Sequence, residues 1–243
     1  MTTLVAIGCS HTHGSMIDGY NGTSHYNLDK AFPGVIAKKH GFGYVNMSTP
    51  GGSNGMIQRW LASFINNNMV KNGDYIFLIG WTSPMRMELR YTDASPHTHE
   101  TFGEYKDKKY VPFTPGTNPT LYHTKEIRKL SSYAHLLFDE THYCVDWAVH
   151  AYTVQQMLKN LNMPYFMINT CHEMYLNKKN KHIANALDLD YYWKPFEQNE
   201  SFLYWALENG FEKTPCWHLK EDGHAAWAEY VDNLMEQAGV YNR

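Results

Sequence analysis

Leu4-Val5-Ala6-Ile7-Gly8-Cys9-Ser10-His11-Thr12-His13-Gly14 is the stretch that decides the fold of this chain. Four apolar residues in a row, closed by a glycine, make the pattern of a strand buried on both faces, as in a parallel sheet. Ser10 follows at once, flanked by Gly8 and Gly14, which permit a sharp turn. Such a turn lifts Ser10 out of the sheet at its carboxyl end, where the following amides can face a developing anion. The plain alternative is an ordinary β–α turn with a serine cap.

The segments that follow repeat the alternation. Residues 31–40 read as a helix stopped by Gly41, and Tyr44-Val45-Asn46-Met47 as a second strand ending at Pro50-Gly51-Gly52. Asn54 is expected to cap a helix over 55–70, with Ile57, Leu61, Phe64 and Ile65 at helical spacing. Tyr75-Ile76-Phe77-Leu78-Ile79-Gly80 is the third strand. Short connections between such elements predict an α/β fold, a three-layer α/β/α sandwich around a flavodoxin-like parallel sheet. Ligands of such sheets bind at the carboxyl ends of the strands. Three loops lie there: 9–14, 49–54 and 81–86.

Beyond 90 the pattern changes. Residues 91–125 are rich in Thr, Pro, His and Lys without periodicity, and are expected to form an irregular insertion, a lid or substrate loop. Residues 132–161 read as helical, with Leu136, Val145, Ala148, Tyr152 and Leu158 apolar, and Pro164-Tyr165-Phe166-Met167-Ile168-Asn169 as a fourth strand. Helices are expected near 180–187 and 199–209, and over 220–238 with Ala225, Ala228, Val231 and Leu234 inward.

The 243 residues, 43% of them hydrophobic, suffice for one domain with a full core. A net charge of -3 with no basic run speaks against nucleic acid as a partner. Cys9, Cys144, Cys171 and Cys216 form no CxxC pair and read as reduced thiols. The first residues lack the features of a signal peptide, and no stretch reaches the roughly 20 apolar residues of a membrane helix. The expectation is a soluble protein made in a cytoplasm, with no membrane partner; later release or assembly into a larger particle stays open.

Two further loops carry candidate chemistry. Pro50-Gly51-Gly52-Ser53-Asn54 leaves backbone N–H groups uncovered beside a strand end, suited to an oxyanion. Trp217-His218-Leu219-Lys220-Glu221-Asp222-Gly223-His224 precedes the last helix, and a histidine there can reach over the sheet end as a general base. Arg86, in Trp81-Thr82-Ser83-Pro84-Met85-Arg86, can bind a carboxylate or phosphate, or form a structural ion pair.

The order of these blocks resembles the SGNH hydrolases, also called GDSL-type esterases and lipases. The resemblance spans residues 4 to about 235. GCSHTHG stands for that family's GDS block, NMSTPGGSN for its second block, GWTS for GxND, and PCWHLKEDGHAAWAEYV for the DxxH block. It implies Ser10 as nucleophile, the Ser10 and Gly51 amides as oxyanion donors, and His218 as base, with His224 as the other candidate. Cys9 stands in place of the Asp of GDS, Thr82 in place of the oxyanion Asn, and Pro215 in place of the triad Asp. The Thr82 hydroxyl is then the donor on its loop. The acid is supplied by Glu221, Asp222 or Glu173, or a Ser–His dyad is oriented by a backbone carbonyl. The implied activity is cofactor-free hydrolysis of a small-molecule or glycan ester, such as an O-acetyl group on a carbohydrate.

Two rivals remain on the sequence. One is a degenerate domain that keeps the fold and binds glycan or serves a structural role. The other is a metal-dependent hydrolase: His11 and His13, on an extended segment, would face one side and share a zinc ion, with His97, His99 and Cys171-His172 as further candidates.

Overall fold

The computed structural model describes residues 1–18, 27–67, 74–90, 110–113, 140–176 and 181–242, with isolated positions between them. Strands Thr3–Gly8 (β1), Gly43–Asn46 (β2), Tyr75–Trp81 (β3) and Tyr165–Asn169 (β6) form one parallel sheet in the order β2-β1-β3-β6. This is the flavodoxin-like order, and its direction reverses between β1 and β3. Met87–Arg90 (β4) and Tyr110–Phe113 (β5) pair separately and antiparallel, so part of the expected irregular insertion is a strand. The remainder of that insertion lies outside the described residues.

Side-chain alternation along each strand builds two cores. Val5, Ile7, Phe77, Ile79, Tyr165 and Met167 pack under helices Asn54–Asn66 (α3) and Glu140–Asn160 (α4). Leu4, Ile76, Leu78, Phe166 and Ile168 pack under Phe32–His40 (α2), Phe202–Glu208 (α6) and Glu221–Gln237 (α7). Both faces of the sheet are therefore covered, which is why its strands read as continuous apolar runs rather than alternating ones. Between these long elements stand two single-turn helices, Ser10–His13 (α1) and Lys181–Ala184 (α5).

Several local expectations shift. Ser53, not Asn54, caps α3: its hydroxyl accepts the Met56 N–H at 3.0 Å, and Asn54 is the first helical residue. The long helix α4 buries Cys144, Trp147, Ala148, Ala151, Val154 and Leu158, whereas Tyr152 and Leu136 are exposed. In α7 the inward stripe runs through His224, Trp227, Ala228, Val231 and Leu234, and Ala225 faces solvent. The stripe passes through a histidine, which hydrophobic periodicity alone does not count.

One contact shapes the carboxyl end of the sheet. Gly8 and Gly80 are register partners on β1 and β3. A Cβ on either would lie 2.2 Å from Thr12 Oγ1, so the two glycines form a notch that the Thr12 side chain fills. That contact seats α1, the turn carrying Ser10, on the sheet. A Gly80→Ala substitution is expected to destabilise the protein by about 1–3 kcal/mol through overpacking. Thr12→Ala in the same chain should recover part of the loss, as a chemical-denaturation double-mutant cycle would measure.

Candidate functional site

Ser10 begins α1 immediately after the extended Cys9, and only 4% of its surface is exposed. The turn closes through His13 N–H to the Cys9 carbonyl at 2.9 Å and Ser15 N–H to the Ser10 carbonyl at 3.0 Å. Gly14 ends it in the left-handed region at φ 76°, the conformation glycine adopts freely. Below the turn, the Thr170 hydroxyl donates to the Trp81 carbonyl at 2.7 Å, and Cys9 Sγ lies within hydrogen-bond reach of the Thr170 hydroxyl at 3.3 Å. In the position where the resemblance has an aspartate, Cys9 thus serves as a buried tether to β6.

Thr49 N–H bonds the Gly8 carbonyl at 3.0 Å and ties the second loop to β1. Gly51 stands exposed at the tip of that loop with φ 76°. The Gly52 N–H, expected to be uncovered, closes the turn onto the Thr49 carbonyl at 3.0 Å. Thr82 is fully buried. Its N–H donates to Asn54 Oδ1 at 2.9 Å, and its carbonyl accepts from Asn54 Nδ2 at 3.3 Å. The Thr82 hydroxyl lies 3.8 Å from Cys171 Sγ. Asn54 therefore clamps the third loop instead of capping its own helix.

His218 is delivered by a turn that Thr214 organises. Thr214 N–H donates to the His218 carbonyl at 2.7 Å, and the Thr214 hydroxyl accepts the His218 N–H at 3.2 Å. Trp217 is held at φ 66°, a strained position for a non-glycine residue. The His218 ring stands 5.0 Å from that of His11, next to Ser10. Its Nδ1 lies 3.4 Å from Cys216 Sγ, and the Cys216 backbone also bonds the ring. Its Nε2 is buried with no hydrogen-bond partner among the described residues, Ser10 included. Burial lowers the His218 pKa, aided by the Arg86 charge, while Cys9 and the Cys216 backbone oppose the shift.

None of the expected acids stands behind His218. Glu221 pairs with Lys30 at 2.7 Å, and Asp222 accepts the Gly223 N–H at 2.9 Å. Among the described residues no carboxylate, Glu173 included, is one of the groups that shift the His218 ring; the Cys216 backbone is. His224 is not a second base. It is fully buried, and its Nδ1 accepts the Phe32 N–H at 3.2 Å. Ala31 has no polar side chain to cap α2, so His224 satisfies that helix start from a distance.

The His11/His13 zinc reading loses its geometric premise. Both residues lie in a helical turn, where positions two apart do not face each other. His13 Nδ1 meets Ser15 Oγ at 3.2 Å, whereas His11 faces His218. Among the described residues no group of three or more His, Cys, Asp or Glu is arranged to hold a metal ion. His97 and His99 lie outside the described residues.

Sequence reasoning missed Gly80, Thr214 and the structural task of His224. Gly80 and His224 depend on partners distant in sequence; Thr214-x-x-x-His218, a hydroxyl residue four before the histidine, left a local trace.

Burial pushes both His11 and His224 from 6.5 down to about 3. Below pH 6.5 the unfolded chain then binds protons that the folded chain refuses. The stability contributed by the neutral rings is complete above 6.5 and is lost as pH falls toward 3. Thermal melts should give a Tm that falls between about pH 7 and pH 5, with a smaller fall in His224→Phe even though that variant starts lower.

A search of curated proteins finds no match to the chain. Among solved structures, a carbohydrate esterase family 2 enzyme with a carbohydrate binding domain from Corynascus thermopiles (Myceliophthora fergusii) aligns at 12% identity and a TM-score of 0.52, over 97% of this chain and 66% of that one. The psychrotrophic esterase EstA from Pseudoalteromonas sp. aligns at 10% identity and a TM-score of 0.47, over 97% of each chain. A family two carbohydrate esterase from Clostridium thermocellum, solved with cellohexaose, aligns at 9% identity and 0.49, over 98% of this chain and 65% of that one. At these identities the likeness is one of fold: the sheet and its covering helices are SGNH-like. The family model described as "Family of unknown function (DUF6071)" matches residues 16–243, and the chain belongs to that family.

Proposed function

We propose that this protein is a serine-dependent ester hydrolase working through a Ser10–His218 dyad. The observation that carries the reading is the delivery of His218 to the Ser10 turn, its Nδ1 side engaged by Cys216 and its Nε2 without a partner among the described residues. A ring held through Nδ1–H keeps its lone pair on Nε2, the form a general base needs. The lowered pKa of His218 keeps that form at neutral pH.

Ser10 Oγ attacks the ester carbonyl while His218 Nε2 takes its proton. The Ser10 and Gly51 amides and the Thr82 hydroxyl stabilise the oxyanion. The alcohol leaves with the proton from His218, and water, deprotonated by the same ring, releases the acid and regenerates Ser10. Dyad alignment is completed on substrate binding, as catalytic hydrogen bonds often tighten only in the complex. The small exposure of Ser10 favours a short acyl group, and an acetyl ester on a carbohydrate is the substrate we infer. Arg86, close enough to act on His11 and His218, would bind a carboxylate or phosphate on that substrate.

A second reading, glycan binding without catalysis, is favoured by one observation: among the described residues no carboxylate acts on His218. Loss of the acid from a standard triad costs on the order of 10⁴ in rate, so turnover by the dyad should be slow. Hydrolysis of p-nitrophenyl acetate separates the readings. We expect slow turnover that Ser10→Ala and His218→Ala each abolish. Equal rates in wild type and Ser10→Ala would leave the binding reading in its place.

A further inference from the structure

We propose that Asn54 is an oxyanion donor of the Ser10 site, acting through the amide hydrogen that its clamp on Thr82 leaves over. This rests on the reading of Ser10 as nucleophile. The orientation of the amide is determined by chemistry. Thr82 N–H needs an acceptor and its carbonyl a donor, so Oδ1 meets the first at 2.9 Å and Nδ2 the second at 3.3 Å. An amide nitrogen carries two hydrogens. One goes to Thr82, and no other bond of Asn54 is formed among the described residues. Asn54 is 4% exposed, so the second hydrogen is a nearly buried donor awaiting an acceptor, a costly arrangement unless a ligand oxygen supplies one.

Register puts Asn54 at the same end of the sheet as Ser10. Gly8 and Gly80 are partners, and Ser10 and Thr82 each stand two residues beyond them. Asn54 is bonded to Thr82 on both backbone groups, and its own loop is tied to Gly8 through Thr49. The Thr82 N–H, spent on Asn54, is no longer free to serve an oxyanion. Two hydrogen bonds hold the amide plane, so it needs no reorganisation as negative charge develops.

Among the described residues the same pairing recurs at Gln155. Gln155 clamps the Asp188 backbone with both bonds at 2.9 Å. There it joins α4 to the loop after α5, and it provides an internal control for what such a clamp does for stability alone.

The test measures kcat and KM on p-nitrophenyl acetate, together with Tm, for wild type, Asn54→Asp, Asn54→Ala and Gln155→Ala. Asn54→Asp keeps size and the acceptor for Thr82 N–H but removes both donors. The expected result is a fall in kcat of about 10²–10³ in both Asn54 variants, with KM moving less than about threefold. Gln155→Ala should lose Tm comparably while keeping kcat within about twofold. A kcat within about threefold of wild type in either Asn54 variant, or an equal loss in Gln155→Ala, overturns the inference. If Ser10→Ala matches wild type, the serine reading fails and takes this one with it; Ser10-dependent turnover that tolerates Asn54→Ala defeats this inference alone.

Discussion

The seating of Thr12 between Gly8 and Gly80 is the contact on which the functional end of this molecule depends. Two strands in register each carry a glycine at or next to their last residue, and the space so left admits one threonine. With Thr12 held there, α1 turns over the sheet end and Ser10 emerges at the point where strand order reverses. Every other group of the site is placed relative to that turn: Cys9 tethers it from below, the Gly51 loop is tied to Gly8, and His11 meets His218 beside it. A larger residue at either glycine would displace the whole constellation rather than one side chain.

The electrostatics follow from where the imidazoles sit. Burial dominates the shifts of His11, His218 and His224, each toward the neutral form. Neutral rings can be packed among Phe32 and Phe202 without counter-ions, and among the described residues no carboxylate acts on His218. Cys216 engages the Nδ1 side of the His218 ring, and Thr214 closes the turn that carries it. For His218 the shift favours the neutral ring, the form that the proposed dyad requires of its base.

The strands were legible because both faces of the sheet are covered, so that each became an uninterrupted apolar run between glycines and turns. The Ser10 turn was legible for the same reason, since it abuts one of those runs, and the His218 loop because it precedes the last helix. What stayed hidden was set by partners far away in the chain. Ser53 and Asn54 are equally good caps by residue type, and only the Thr82 backbone, 28 positions on, draws Asn54 to another task. His224 looked like a second base until Ala31, unable to cap α2, gave it a structural purpose. Gly80 read as a strand end, although its value lies in what Thr12 puts beside it. The HxH spacing misled because it assumed an extended segment where the chain makes a helical turn.

The central claim is that Ser10, poised beside a neutral His218, is a reactive hydroxyl. Reaction with a fluorophosphonate, followed by tandem mass spectrometry of the peptides, tests it most directly. The account predicts one adduct per chain, on Ser10, that is lost when His218 is replaced. An unmodified Ser10, or an adduct confined to another residue such as Ser48, Ser53 or Ser83, would contradict it.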